Sequence, residues 1–150
     1  MLRRLASTSA SWAPLPLRLA LGVAFVAHGA QKVFGSFGGP GFRQFTSFPA
    51  PFTFMRPPAV WMAAAALGEL IGGALVLIGL LTRLGAFLIT CVMLTVIFGV
   101  LRNKGFFAPE GMELAISFLA IALALLITGG GQLSADRVIG RRAVNRNGKS

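Results

Sequence analysis

Six side chains place polar or ionisable groups in or beside apolar runs of this sequence: His28, Gln31, Lys32, Glu69, Arg102 and Glu113. Such groups are costly inside a membrane and therefore tend to mark function. His28, Gln31 and Lys32 are three and four residues apart, which puts them on one helix face. A Glu69 carboxylate facing lipid would be strongly penalised, so it must point inward and be either neutral or partnered. Lys32 and His28 are the nearest credible partners. His28 is the natural proton carrier, since histidine is the residue type that changes charge near neutral pH. Arg102 and Glu113 flank a turn and could close a second pair at the same mouth. His28, Lys32 and Glu69 are thus the catalytic candidates, and all six residues are ligand-binding candidates. The competing reading is that these groups only tie helices together.

Other chemistries find little support. A single histidine and two separated carboxylates make a poor metal-ligand set, so no metal site is expected. The glycines at 35, 38, 39 and 41 lack the strand-loop-helix setting of a phosphate loop. Cys91 is the sole cysteine, which excludes an internal disulfide and dithiol exchange, and it is expected to be an inert packing group. No cofactor motif is evident.

The elements that must hold these residues follow from composition. The 150 residues are 55% hydrophobic and 12% charged, with a mean hydropathy of +0.78. A soluble domain of this size is mostly surface and needs more polar side chains than that. An all-α, polytopic membrane protein is expected, a bundle of four transmembrane helices at about 15–34, 59–81, 84–101 and 112–128. A cytoplasmic segment, 1–14, precedes the bundle, and a basic cytoplasmic tail, 129–150, follows it. Pro14 and Pro16 suit a helix start, and Gly129, Gly130 and Gly131 form a strong stop. Thr82, Arg83 and Gly85 are read as a tight turn. Ala64, Gly68 and Gly72 recur at a spacing of four and permit close helix approach. The stretch from Gly35 to Pro58 has five prolines and six phenylalanines. It is too rich in Gly and Pro to span and too apolar to float in water, so it lies in the interface or folds over the bundle mouth as a lid.

Charge placement sets the orientation. Arg3, Arg4, Arg18, Arg83, Arg137, Arg141, Arg142, Arg146 and Lys149 fall on one side; Lys32, Arg43, Arg56, Arg102 and Lys104 fall on the other. The nine-to-five bias predicts a multi-pass protein of the inner (plasma) membrane with both termini cytoplasmic. The net charge of +10 is then assigned to topology and anionic lipid rather than to nucleic acid. His28 lies about six residues from the outer end, about 9 Å deep, and Glu69 about ten residues, about 15 Å deep, at about 1.5 Å per residue. The cluster is therefore expected in the outer half.

The strings RLALGVAFVAHGAQKVFG (18–35), GELIGGALVLIGLLTRLGA (68–86) and KGFFAPEGMEL (104–114) resemble the DoxX family of four-helix bacterial membrane proteins. The likeness extends over roughly residues 17–139. His28, Gly29, Lys32, Gly35, Glu69, Gly72, Gly73, Thr82, Arg83, Gly105, Phe106 and Glu113 match the family pattern. Leu101 stands where many members have a histidine. Some relatives resemble membrane subunits of redox assemblies, including thiosulfate:quinone oxidoreductase.

Two functions follow as expectations. The first is a redox-associated subunit that binds a quinone, or docks an oxidoreductase partner protein, through a polar pocket in the outer half. The second is a non-catalytic carrier or assembly factor for a small hydrophobic ligand or a partner protein. The lipid bilayer is a partner in either case, nucleic acid is not, and homo-oligomerisation stays open.

Overall fold

The computed structural model describes residues 11–107 and 111–140. Its long helices are α1 (Pro14–Phe34), α3 (Pro58–Ile78), α4 (Thr82–Thr95) and α5 (Glu113–Thr128), with a short α2 (Gly41–Phe45) between the first two. No strand occurs among the described residues. Pro14 and Pro58 open their helices, where a missing N–H costs nothing. Gly35 and Gly79 end α1 and α3 in the left-handed conformation, at φ 72° and 75°. A π-helical turn, Val96–Val100, extends α4.

Glycines set the helix spacing. A Cβ on Gly22 would lie 2.7 Å from Leu77 Cβ, one on Gly73 2.7 Å from the Val26 nitrogen, and one on Gly29 2.5 Å from Leu70 Cα. These pairs run in opposite directions along the chain, so α1 and α3 are antiparallel and nearly in backbone contact. Gly72 meets the Gly85 carbonyl and Ile89, and Gly68 meets Val92, which sets α4 antiparallel to α3. The stripe at 68 and 72 therefore packs on α4, while Gly73 serves α1. The contacts run α1 to α3 to α4 to α5, and α5 closes lightly back on α1. Leu21, Phe25, Val76, Ile89, Ala122 and Leu125 fill the centre.

The outer faces are also apolar. Val23, Ile71, Phe87, Phe98, Leu123 and Ile127 are exposed, as on helices whose solvent is lipid. Pro58–Ile78 and Thr82–Val100 are each long and apolar enough to cross a membrane. α5 is apolar but shorter, at 16 residues. Cys91, expected to pack inside, is exposed on α4.

Two boundaries differ from expectation. The second long helix stops at Ile78 rather than Leu81, and Thr82 and Arg83 are helical rather than part of a turn. The first follows from Gly79, whose left-handed conformation ends α3; the cause of the second is remote in sequence. Asp136 accepts hydrogen bonds from the N–H groups of Leu81 and Thr82, at 2.7 and 2.9 Å, and so caps the free donors of α4. Residues 129–140, expected to begin a cytoplasmic tail, pack against the bundle with Gly130, Gly131, Ser134 and Asp136 buried. Residues 141–150, the remainder of that expected tail, and the segment 1–10 lie outside the described residues.

Candidate functional site

The site begins at the C-terminal end of α1. The α1–α3 register puts Phe34 opposite Ala65, so the first turns of α3 project beyond α1. Gly35 turns the chain back, and α2 packs on both α1 and α3 in the space left. Gly39 sits against the backbone of Gln31, where any side chain would collide. Further on, Pro51 and Phe52 lie on Gly99, within the π-helical turn of α4. Residues 35–57 thus run from α1 across to α4 and cover this end of the bundle. Met55 is buried within the covering segment, while Phe37 and Phe54 are directed outward. A single segment therefore serves as a lid on one side and presents apolar rings on the other.

Beneath the lid, Lys32 Nζ donates to Glu69 Oε2. The Glu69 side chain is 6% exposed and that of Lys32 21%. Lys32 Nζ also lies 5.6 Å from the centroid of the Phe45 ring of α2, within cation–π range. Glu69 lies on the stretch of α3 whose Gly73, with Gly22 and Gly29 of α1, brings the two helices close enough for this contact. The pair is a neutralised, largely desolvated dipole roofed by an aromatic ring.

The other candidates are arranged differently. Gln31 is half-buried below Gly39. His28 is exposed, its ring edge-on to Phe25 at 6.4 Å, and it takes no part in the described ion pair. Arg102 is exposed, and its pairing with Glu113 is not among the described contacts. Glu113 is half-buried at the start of α5, with its N–H donating to the Phe106 carbonyl at 2.9 Å. No cluster of three metal-ligating side chains occurs among the described residues.

The DoxX family model matches residues 13–102. The chain belongs to the DoxX family. It is thereby a helical membrane protein, in agreement with its apolar exterior. Neither a curated protein nor a solved structure matches it. The matched stretch of this DoxX protein takes in Lys32, Glu69 and the whole lid, and ends before Glu113.

At the opposite end, the bundle holds buried charges that sequence reasoning missed. Arg18, 2% exposed, donates from Nε to the Val76 carbonyl, from Nη2 to Leu77, and from Nη1 to Gly130 and Leu133, at 2.6–3.0 Å. Asp136, 1% exposed, accepts from the two α4 N–H groups and from Thr82 Oγ1 at 2.8 Å. Its own N–H donates to the Gly79 carbonyl. The sequence signal was present in Arg18, a charge one turn inside an apolar helix, but it was absorbed into the topology count.

Proposed function

We propose that this DoxX protein is a membrane-embedded binding subunit of the redox-associated kind. All four long helices cross the inner membrane and both termini are cytoplasmic. The lid end, in the outer half, then receives a small hydrophobic molecule with carbonyl groups, of which a quinone is the best chemical match. The observation that carries this reading is the Lys32–Glu69 pair beneath Phe45. A carbonyl oxygen can share the ammonium protons while its ring stacks on the lid phenylalanines. The ion pair supplies polarity and the lid excludes water. An oxidoreductase partner would supply or remove the electrons, since the chain has no redox group beyond Cys91.

The outward rings Phe37 and Phe54 favour a second use of the same end, as a docking or assembly surface in the membrane interface. Quinone binding by the purified protein tests the first reading. A shift of unfolding temperature or quenching of Trp61 by a quinone is expected, together with co-purification of an electron-transfer protein in mild detergent. Indifference to quinones with no such partner would leave only the assembly role. A periplasm-active reporter fused after Ser150 should be silent; activity there would reverse the orientation.

A further inference from the structure

We infer that the ligand reaches the Lys32–Glu69 pair sideways from the bilayer, through a portal between α1 and α5, and that His28 is its hydrogen-bonding post. The inference rests on the binding role proposed above.

α1 and α5 make a weaker seam than α1 and α3, whose backbones nearly touch. At the end away from the lid, the chain just after α5 is fastened to α1: Arg18 bonds the Gly130 and Leu133 carbonyls, and a Cβ on Gly131 would lie 3.0 Å from Pro14. Leu17, Leu21, Ala24 and His28 recur at helical spacing along one stripe of α1. Leu17, Leu21 and Ala24 belong to the core or pack against it, whereas His28 is exposed. The stripe therefore loses its cover at His28. Phe25 and Phe118 bridge the seam just below, edge-on with centroids 5.5 Å apart.

His28 lies in the membrane with an N–H and an acceptor nitrogen. Among the described residues nothing is hydrogen-bonded to its imidazole. In hydrocarbon such a group needs a partner, and a carbonyl of a membrane-dissolved molecule supplies one. Lys32 stands one helical turn further along the same side of α1, so a ligand held at His28 is one step from the ion pair. The lid narrows the direct route from water, because Phe45 lies over Lys32 and Pro51 and Phe52 rest on Gly99.

The test uses the full chain in phospholipid vesicles with two probes, a photoreactive quinone carrying a long isoprenoid tail and a short-tailed, water-soluble quinone. The long-tailed probe is expected to label residues 25–34 and 113–119. His28→Ala should cut that labelling about tenfold, and His28→Gln, which keeps a hydrogen-bonding group, should restore most of it. Phe118→Trp, which fills the seam, should slow equilibration of the long-tailed probe several-fold with Kd unchanged. Labelling confined to 41–55, insensitive to His28→Ala and Phe118→Trp, would overturn the portal while leaving quinone binding intact. Failure of the native protein to bind either probe would remove the binding role and the portal with it.

Discussion

The two ends of the bundle each bury an acid and a base, and they do so in opposite ways. At the clasp end, Arg18 and Asp136 are saturated: four carbonyls accept from the guanidinium, and three donors reach the carboxylate. The bonds join α1, α3, α4 and residues 130–136, so three of the four long helices and the segment that follows α5 are tied within one layer. At the lid end, Glu69 has one described partner, Lys32, which is itself partly exposed under a loop. A saturated charge has no capacity left for a ligand, and its role is to hold helices in register. The Lys32–Glu69 pair, with one described bond to the carboxylate and a partly exposed ammonium, keeps hydrogen-bonding capacity. The comparison thus separates architecture from site by counting what each buried charge still lacks.

The sharpest way to break the comparison is at the clasp. Arg18→Met removes the guanidinium's bonds to four carbonyls and leaves Asp136 without its nearby cation, and should cost about 3–5 kcal/mol, as when one side of a buried charged network is removed. Arg18→Lys should recover little, because an ammonium cannot span the four acceptors. Unfolding midpoints in detergent check both; near-native stability for Arg18→Met would mean that the clasp does not hold the bundle.

At the lid end the informative quantity is a coupling. A double-mutant cycle of Glu69→Gln with Lys32→Met should give an interaction energy of about 0.6–2 kcal/mol, the range of membrane polar pairs. The single changes should also abolish the quinone response, which Arg18→Lys should not do in protein that remains folded. Additivity in this cycle would dissolve the site.

Thr82→Val tests how finely the clasp is balanced. It removes one of three hydrogen bonds to Asp136 and should cost about 1 kcal/mol, measured again as a shift in midpoint, with quinone affinity unaltered. The smallest effect is expected from the cycle of His28→Ala with Glu69→Gln, which should be additive within about 0.5 kcal/mol because the ion pair does not include the imidazole. Strong coupling there would move His28 into the pair and merge portal with site.

Much of the lid end could be read along the chain. Glu69 in an apolar helix demands a partner, and Lys32 was one of two candidates. Choosing Lys32 over His28 required the helix packing, since both lie on the same side of α1 and differ by one turn. The covering role of residues 35–57 was one of two alternatives, and it emerged from Gly39 against Gln31 and Phe52 against Gly99. The clasp was far less legible. Asp136 caps a helix that begins 54 residues earlier in the chain, and no local pattern announces such a partner. Thr82 looked like turn chemistry because its capping group is so distant.

The sequence by itself determined the helical, membrane-bound character of this DoxX protein, the approximate extent of its long helices, and the need for a buried partner to Glu69. These follow from hydropathy, periodicity and the cost of a lone charge in lipid, which act locally or in sum over the chain. Tertiary structure decided which cation answers Glu69, that Arg18 is an internal clasp rather than a surface charge, that Cys91 faces outward, and that His28 is left exposed on α1. Those outcomes depend on which helix faces meet, and that is set by the glycine contacts of α1, α3 and α4 acting together, with no single residue encoding it.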